Sequence, residues 1–413
     1  MPATLTTTLR YGADATIALD LPAGALVADI SGPRGQPLAV PYQITAEALA
    51  APISFPPLAR ATVPDDKITI ALEAGVPQAQ ALVAATVEAL IKAGAKAGDI
   101  TILRTKFDAE SGAVDPRGAL APDVQQQVAL ETHDPDDRGH VSYLAATPKG
   151  RPIYLNRHVC NADLVVPIGC LRCEQAISYH GVYGVLYPTF SDTETLERFR
   201  NPSSSDVHAE AHARKRHFVD LVGWLSGAPF VIQALPGPGD SVLDVLAGDA
   251  AEVFRVGQER CQQAWSFEIP RTAELIVASI TGDAASQSWD NVGRALAAAL
   301  RVVSDGGAIA ICTELAVAPG PAVQGLGHAD DLRSALRQIR KHRPTDALPA
   351  TELAVALGRT KVYLLSRLPE DTVEELGIAA VSKPQDIVRL AQRHESCVLL
   401  NDAQFAVAQC VEN

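Results

Sequence analysis

Two short apolar runs, KITIAL at residues 67–72 and DITILR at residues 99–104, enclose the longer run QAQALVAATVEALIKAG at residues 78–94. The short runs are rich in β-branched residues and predict buried strands. The long run repeats its apolar residues at helical spacing and ends at a glycine. A strand, a helix and a strand in this order form a βαβ unit, whose strands are parallel. The stretch therefore predicts an α/β protein built on a mainly parallel sheet.

The same alternation continues on both sides of residue 270. Further strands of the first part are predicted at 163–168 and 229–234. The second part is predicted to contain strands at 274–282, 307–314, 361–368 and 397–402 and helices at 291–303 and 384–394. We therefore predict two α/β domains, residues 1–268 and 269–413, each with a mainly parallel sheet flanked by helices. Whether the last residues pack back on the first domain is left open.

Segments rich in Asp, Pro, Ser and Gly separate some of these elements. They lie at 110–142, 189–207 and 315–330 and are predicted to be loops. Long loops of α/β proteins often carry the functional site, and ligands commonly bind between domains and at the carboxyl ends of strands. We expect the site in the cleft between the two domains.

The composition argues against several classes of function. With a formal net charge of −13 at pH 7, the chain repels phosphate backbones, so no binding to nucleic acid is expected. No apolar run reaches the ~18 residues of a membrane span, and the N-terminus shows no secretion signal. The seven cysteines are an odd number and favour a reducing cytoplasm. A homo-oligomer is left open.

Two short motifs suggest metal or redox chemistry, but each has a simpler interpretation. Cys170 and Cys173 form a CxxC pair directly after a predicted strand, and no second CxxC completes a zinc site. His208 and His212 share one face of a predicted helix, but three cationic residues at 214–216 would repel a metal ion. We therefore predict no metal site from these motifs.

The segment SYHGVYG at residues 178–184 is a stronger candidate for the site. It combines small, aromatic and ionisable residues shortly after a predicted strand. Because α/β proteins bind ligands at the carboxyl ends of strands, His180 and Tyr183 are candidates for acid and base chemistry.

Several longer stretches together resemble one known family. PDDKIT (64–69) and AGDITIL (97–103) are similar to its first βαβ unit, and GRPIYLNRHVCNADLVVPIG (150–169) resembles its most specific motif. The match continues through YGVLYPTFSDTETLERFRNP (183–202), where the family has its cofactor-attachment loop, and reaches KVYLLSRLPEDTVEELG (361–377). Over nearly its whole length, the chain resembles the lactate racemase (LarA-like) family.

The resemblance implies racemisation or epimerisation of an α-hydroxy acid. Members of the family use a nickel-pincer nucleotide, which a lysine holds and whose nickel a histidine binds. Two further histidines act as acid and base, because removal of hydride requires the hydroxyl proton to leave as well. Arg, Gln and Lys side chains hold the carboxylate of the substrate.

Most of these family residues differ in this chain. The attachment lysine falls at Gly184, and no lysine lies between residues 149 and 215, so covalent attachment of the cofactor is predicted to be absent. The nickel-binding histidine falls at Arg200, which has no lone pair for a metal but can bind an anion. The two acid/base histidines fall at Glu174 and near Phe107.

The predicted site combines both lines of reasoning. The catalytic candidates are Glu174, His180 and Tyr183. The candidates for binding a substrate or another anion are Asp66, Lys67, Arg200, Asn291 and Arg294. In the resemblance, Asn291 and Arg294 take the places of the family's Gln and Lys, and Asp66 belongs to a motif whose arginine falls near Thr69.

Three functions stay open at this point. The first is a LarA-like isomerase of α-hydroxy acids or sugar acids with an altered, lost or non-covalently held cofactor. The second is another enzyme on the same scaffold, with acid/base chemistry but no nickel. The third is a non-catalytic binder of a small carboxylate or nucleotide.

Overall fold

The stretch that decides the fold forms the predicted unit, with a strand at Ile68–Leu72, a helix at Ala79–Lys92 and a strand at Ile100–Thr105. The helix buries one apolar face, including Leu82, Val87 and Leu90. The computed structural model describes residues 4–22, 24–147, 149–199, 209–329 and 331–411.

The strands of the described residues are numbered in chain order. They are β1 Thr4–Tyr11, β2 Ala15–Pro22, β3 Leu26–Ile30, β4 Ile68–Leu72, β5 Ile100–Thr105, β6 Ala129–His133, β7 Val141–Ala146, β8 Pro152–Asn156, β9 Leu164–Cys170, β10 Phe230–Pro236, β11 Val242–Asp249, β12 Ser266–Ile269, β13 Ala273–Ser279, β14 Val303–Cys312, β15 Lys361–Leu365, β16 Ala379–Val381, β17 Cys397–Leu400 and β18 Val407–Cys410.

The α-helices of the described residues are numbered in the same way. They are α1 Pro41–Ala50, α2 Ala79–Lys92, α3 Lys106–Glu110, α4 Pro122–Gln127, α5 Arg157–Cys160, α6 Thr193–Phe199, α7 Ala209–Leu225, α8 Ala250–Trp265, α9 Trp289–Leu300, α10 Pro321–Gly327, α11 Leu332–His342, α12 Ala347–Leu357, α13 Glu370–Glu374 and α14 Pro384–Arg393. None of the described helices is long and apolar enough to span a membrane.

Two six-stranded sheets carry the fold. The first has the order β11-β10-β9-β4-β5-β6 and is parallel except for the β10–β11 pair. The second has the order β16-β15-β14-β13-β17-β3 and is parallel throughout. Helices cover both sheets, so the predicted class, an α/β protein with mainly parallel sheets flanked by helices, is confirmed.

The predicted loops are only partly irregular. Strand β6, at the edge of the first sheet, lies inside the segment 110–142, while α6 and α10 lie inside 189–207 and 315–330. The sequence of β6, ALETH, is short and half polar because an edge strand is only partly buried. Such a strand carries little apolar signal.

The N-terminal strands depart from the predicted division of the chain. Strand β3 pairs with β17 in the second sheet, and the β1–β2 hairpin buries Leu9 and Leu19 against that sheet. The predicted boundary therefore does not follow the two sheets, because β3 belongs to the second sheet and the β1–β2 hairpin packs on it. At the other terminus, β18 pairs with β12, and Phe405 packs on Trp265 at 5.4 Å between ring centroids.

Candidate functional site

A cavity of about 520 Å³ lies where the carboxyl ends of the two sheets meet. Residues at or just after the ends of strands line it: Glu73 after β4, Thr105 in β5, His133 in β6, Arg172 after β9, Ser286 after β13 and Val317 after β14. Helix α9 adds the side chains of Trp289, Asn291 and Arg294. Since α/β proteins bind ligands at the carboxyl ends of their strands, this cavity is the candidate site.

Two arginines lie in the cavity wall. Arg172 donates from Nη1 to the carbonyl oxygen of Gln404 at 3.0 Å, and its guanidinium lies 4.8 Å from the centroid of the Phe405 ring. Arg294 donates from Nη1 to Asn291 Oδ1 at 2.8 Å. Its Nε is buried and has no hydrogen-bond partner among the described residues. Burial, helped by repulsion from Arg172, lowers the pKa of Arg294 to about 10, so the group stays charged at neutral pH.

The carboxylate of Glu73 lies close to both arginines, and that of Asp290, in α9, lies close to Arg294 as well. Glu73 Oε2 accepts a hydrogen bond from the backbone N–H of Cys170 at 2.8 Å. Burial raises the pKa of Glu73, while the Cys170 N–H and the charges of Arg172 and Arg294 oppose that rise. The lining also contains Asp290 and Asp346, so what this part of the wall offers an anion is the pair of guanidinium groups rather than an excess of positive charge.

His133 is held as a neutral ring. Its Nδ1 faces the amide nitrogen of Asn156 at 3.0 Å, and its Nε2 lies 2.8 Å from the carbonyl oxygen of Ser191. The amide must donate to Nδ1, so the proton of the neutral ring belongs on Nε2. Burial lowers the pKa of His133. With both nitrogens engaged, this histidine has no lone pair available for a metal.

His180 and Tyr179 lie side by side in the lining. The ring of His180 meets that of Phe199 edge-on at 5.2 Å between centroids. The ring of Tyr179 stacks on Phe254 at 6.5 Å, and its hydroxyl is buried without a hydrogen-bond partner among the described residues. Burial raises the pKa of Tyr179 well above its usual value, so the phenol stays neutral and can donate a hydrogen bond.

Gly184 leaves open space in the lining. A Cβ placed on Gly184 would meet the Cβ of His180 at 3.7 Å, which is an ordinary contact. The only lysine among the described residues that line the cavity is Lys106, whose Nζ lies 2.8 Å from Asp134 Oδ2. Attraction by Asp134 raises the pKa of Lys106, and this lysine therefore remains an ammonium group.

Four residues predicted from the sequence line the cavity together: His180, Gly184, Asn291 and Arg294. Asn291 is 7% exposed and donates from Nδ2 to the carbonyl oxygen of Ser286 at 2.7 Å. Its Oδ1 accepts the bond from Arg294, so the residue orients the guanidinium.

Asp66 and Lys67 were predicted to bind the substrate, and the structure corrects both. They lie just before β4, at the amino end of the strand, whereas the cavity lies at the carboxyl end. Asp66 Oδ2 accepts from the backbone N–H of Val63 at 2.8 Å and holds a turn. The backbone N–H of Lys67 donates to Asp163 Oδ2 at 2.9 Å.

Glu174 and Tyr183, predicted as catalytic, do not line the cavity. Glu174 is on the surface and forms an ion pair with Arg216. Tyr183 donates its hydroxyl to the carbonyl oxygen of Ala228 at 2.7 Å, and burial raises its pKa to about 12. Glu174 thus contacts α7, and Tyr183 contacts the segment before β10.

The remaining predicted residues are Arg200 and the residues of the two possible metal motifs. Arg200 and His208 lie outside the described residues. Cys170 is buried, which raises its pKa to about 12, and Cys173 donates from Sγ to the carbonyl oxygen of Cys261 at 3.4 Å. Within the described part of the chain, no group of three or more His, Cys, Asp or Glu side chains is arranged to hold a metal ion.

Sequence reasoning missed Glu73, Arg172 and Tyr179. Glu73 and Arg172 each follow a buried strand closely, in ITIALE and LVVPIGCLR, and a charged residue just past a buried strand is a recognisable signal. Tyr179 belongs to the segment 178–184 that was singled out, but its neighbours His180 and Tyr183 drew the chemical interpretation.

Comparison with known proteins supports the resemblance drawn from the motifs. A family model of the lactate racemase N-terminal domain matches residues 11–209. Among solved structures, the chain is similar to the lactate racemase apoprotein from Thermoanaerobacterium thermosaccharolyticum, with a TM-score of 0.76, 16% identity, and coverage of 98% of this chain and 100% of that one. No curated protein matches the chain.

A second solved structure, of a protein from Thermotoga maritima, has a TM-score of 0.65 and 14% identity and covers 91% of this chain and 99% of that one. At such identities the two structures establish a shared fold only. The class is thus an α/β protein with a ligand-sized cavity between its sheets. More particularly, the chain is lactate racemase-like: residues 11–209 match the model of the lactate racemase N-terminal domain, and the whole chain shares the fold of the lactate racemase apoprotein.

Proposed function

We propose that the cavity binds a small carboxylic acid of the α-hydroxy acid class through Arg172 and Arg294. The observation that carries the proposal is the buried Nε of Arg294, which faces no hydrogen-bond partner among the described residues. A carboxylate that binds a guanidinium through two parallel hydrogen bonds would give this Nε an acceptor. Such charge-assisted hydrogen bonds are strong in a poorly solvated site. The proposed class of ligand, α-hydroxy acids, is suggested by the match of residues 11–209 to the lactate racemase N-terminal domain.

The neighbouring groups suit such a ligand. Asn291 holds the Arg294 guanidinium, and the neutral phenol of Tyr179 offers a further donor. The cavity volume of about 520 Å³ lies within the ~300–1,000 Å³ of typical small-molecule sites. Glu73, His180 and Lys106 are the titratable groups that could exchange protons with a bound hydroxy acid.

A ligand panel tests the proposal. Lactate is titrated into the protein by calorimetry, beside propionate, which lacks the hydroxyl, and lactamide, which lacks the charge. We expect lactate to bind more tightly than propionate, and lactamide not to bind. At 100 times its dissociation constant, lactate should raise the free energy of unfolding by about 2.7 kcal/mol. Equal binding of lactate and lactamide, or no binding of either acid, would contradict the proposal.

The nickel-pincer nucleotide of the family is a poor match for the described residues. Gly184 has no side chain, Lys106 is paired with Asp134, and both nitrogens of His133 are engaged. These features support the absence of covalent attachment, and no reaction step is assigned to the cofactor.

Racemisation or epimerisation is the second candidate. It is favoured by the lactate racemase N-terminal domain and by the presence of Glu73 and His180 in the cavity. For the test, the protein is purified in two forms, with and without co-expression of the enzymes that make the family's cofactor. Each form is then incubated with one enantiomer of lactate. Appearance of the other enantiomer on a chiral column would establish the activity, and its absence in both samples would leave binding alone. We further propose that the protein acts in the cytoplasm and binds neither nucleic acid nor membranes.

A further inference from the structure

The main cavity, the one of about 520 Å³ between the two sheets, is large for a ligand such as lactate. At ~30 Å³ for each water molecule, its volume corresponds to roughly 17 molecules, whereas lactate has six non-hydrogen atoms. A lactate bound at Arg172 and Arg294 would leave most of the volume unfilled. The rest of the lining therefore bears on which hydroxy acid the cavity fits.

Asp346 lines the cavity from a second element. It lies directly before α12 and is 9% exposed. Its Oδ2 accepts a hydrogen bond from the backbone N–H of Val323, in α10, at 2.9 Å. Its Oδ1 is buried and has no hydrogen-bond partner among the described residues. Because a buried carboxylate oxygen without a donor is unfavourable, this atom is a candidate acceptor for a bound ligand.

The carboxylate of Asp346 is held in one orientation. Gly320, at the N-cap of α10, allows its close approach, because a Cβ at Gly320 would lie only 2.5 Å from Oδ2. The backbone N–H of Val323 binds the same oxygen. With Oδ2 engaged, Oδ1 is the oxygen left for a ligand. An acceptor that is already oriented loses little conformational entropy when a ligand binds.

Helices α9 and α12 bring Arg294 and Asp346 to the same cavity. The two helices pack closely at Gly293, where a Cβ would meet Leu348 Cδ2 at 2.8 Å and Pro349 Cα at 3.1 Å. Arg294 does not satisfy Asp346, because Oδ1 has no partner among the described residues. The cavity therefore offers donors for a carboxylate on one helix and an acceptor for a second group at the start of the other.

Apolar groups of the same two helices line the cavity as well. They are Trp289 of α9 and Leu348 and Pro349 of α12. Trp289 Nε1 donates to the carbonyl oxygen of Val317 at 2.9 Å, so the polar atom of the indole is satisfied and its ring remains for apolar contact. The methylene groups of a longer ligand would bury apolar surface against these side chains.

We propose that Asp346 determines specificity by accepting a hydrogen bond from the far end of a longer hydroxy acid. Such a ligand has a carboxylate at one end and a hydroxyl or ammonium group at the other. A carboxylate oxygen accepts from either donor, whereas a second carboxylate on the ligand would be repelled. The inference rests on the proposed function, since it takes the binding of the first carboxylate by Arg172 and Arg294 as given.

Calorimetry on the full chain with six-carbon 2-hydroxy acids that differ only at carbon 6 tests the proposal. 2-Hydroxyhexanoate ends in a methyl group, 2,6-dihydroxyhexanoate in a hydroxyl, 6-amino-2-hydroxyhexanoate in an ammonium group and 2-hydroxyadipate in a carboxylate. We expect the acid that ends in a hydroxyl or an ammonium group to bind about tenfold or more tightly than 2-hydroxyhexanoate, and 2-hydroxyadipate to bind more weakly. The corresponding four- and five-carbon acids repeat the comparison at shorter lengths.

This ligand set separates failure of the inference from failure of the proposed function. A gain at any of the three lengths supports the role of Asp346, and the better of the two donors identifies the terminal group. If the methyl-ended acids bind and no terminal donor improves binding at any length, the inference is overturned while the carboxylate site stands. If none of the acids binds, the proposed function fails and the inference fails with it.

Asp346→Asn reverses the hydrogen-bonding character of the open position. The amide oxygen can still accept from the backbone N–H of Val323, while the amide nitrogen replaces Oδ1 and donates. We expect the variant to lose its preference for a terminal hydroxyl or ammonium group and to bind 2-hydroxyadipate more tightly than the parent does. Its affinity for 2-hydroxyhexanoate should stay the same. A merely structural role would instead weaken the binding of all four acids alike, and that result would overturn the proposal.

Asp331→Asn is the matched control. Asp331 also binds backbone N–H groups at the start of a helix, since it caps α11 with acceptor distances of 3.1 Å to Arg333 N and 3.0 Å to Ser334 N. It is not among the described residues that line the cavity. The control should bind all four acids like the parent. Equal order of preference in Asp346→Asn, Asp331→Asn and the parent would contradict the assignment of specificity to Asp346.

Discussion

Buried ionisable groups lie among the residues around the main cavity. Arg294 stays charged although burial lowers its pKa to about 10, and Glu73 is held beside it by a backbone N–H. Unsatisfied polar groups are unfavourable in a protein interior unless a ligand or a partner completes them. Arg294 Nε and the Tyr179 hydroxyl are such groups, and both belong to residues that line the cavity.

Asp108 gives a prediction about pH. It lies in α3, and burial, together with the charges of Asp283 and Glu73, raises its pKa from 3.8 to about 7, although Arg104 and the Gly75 N–H oppose the rise. Between about pH 4 and pH 7, the folded protein binds this proton more tightly than the unfolded chain, so stability falls as pH rises. Asp108→Asn should therefore raise the free energy of unfolding at pH 8, by up to about 4 kcal/mol, and by much less at pH 4.

Urea denaturation of Asp108→Asn and the parent protein at both pH values measures this difference. Asp123→Asn is the control, since this residue is exposed in the first turn of α4. Equal stability changes at pH 4 and pH 8 for Asp108→Asn would show that its carboxylate titrates normally.

Gly184 gives a prediction about the cofactor. Because a Cβ at this position meets only an ordinary contact, Gly184→Lys should fold with a stability within about 1 kcal/mol of the parent. Both proteins are then produced together with the enzymes that make the family's cofactor, and their intact masses are measured. We expect no added mass on the parent protein. A nucleotide mass on the parent would contradict the proposed absence of covalent attachment.

Four of the residues predicted from the sequence lie together in the cavity lining. His180, Gly184, Asn291 and Arg294 were found from a segment after a strand or from the family resemblance, and they line the cavity. Asp66 and Lys67 precede β4 and so lie at its amino end, whereas the cavity lies at the carboxyl ends of the strands. Glu174 is close to the site in sequence, but its ion pair with Arg216 holds it outside the cavity.

Among the helices, α9 links the fold to the site. Ser288 caps it by accepting a hydrogen bond on Oγ from the backbone N–H of Asn291 at 3.3 Å. The same helix buries Val292 and Leu296 and presents Arg294 to the cavity. A weaker N-terminus should therefore reduce both the stability of the protein and its affinity for a carboxylate.

Ser288→Ala tests this coupling and should cost about 1 kcal/mol of unfolding free energy, with a lower lactate affinity. Asp249→Ala is the matched control, because Asp249 caps α8. Its Oδ1 accepts hydrogen bonds from two backbone N–H groups, at 3.0 and 3.1 Å. No residue of α8 is among the described residues that line the cavity. The control should lose similar stability and keep its affinity. Equal losses of affinity in both variants would mean that α9 has no special part in binding.

Among the strands, those predicted from the sequence are the buried central ones. Strands β4, β9, β13 and β14 are long apolar runs because both faces of a parallel sheet are covered. The pairing of β3 with β17 joins residues far apart in the chain, and no local pattern contains that information.

At the level of the whole molecule, the N-terminal β1–β2 hairpin packs on the second sheet. In register, Leu19 of β2 lies opposite Thr7 of β1, and its side chain is fully buried in a cluster with Leu275, Val277 and Leu399 of the second sheet. Strand β2, near the start of the chain, therefore packs against β17, near its end.

Leu19→Ala tests this role of the hairpin and should lower the free energy of unfolding by about 2–5 kcal/mol, as measured by urea denaturation. Leu5→Ala, in β1 of the same hairpin, removes a side chain of a residue that is 47% exposed, and should change stability by less than about 0.5 kcal/mol. Similar small effects of both variants would show that the hairpin does not stabilise the second sheet.

Binding of a carboxylate between the two sheets is the central claim, and lactate titration by calorimetry into the parent protein, Arg294→Gln and Glu174→Gln tests it most directly. Loss of a charge-assisted bond to a buried guanidinium is worth ~1.5–3 kcal/mol. We therefore expect Arg294→Gln to bind lactate at least tenfold more weakly, and Glu174→Gln, changed outside the cavity, to bind like the parent. The same affinity in all three proteins, or a loss confined to Glu174→Gln, would contradict the account.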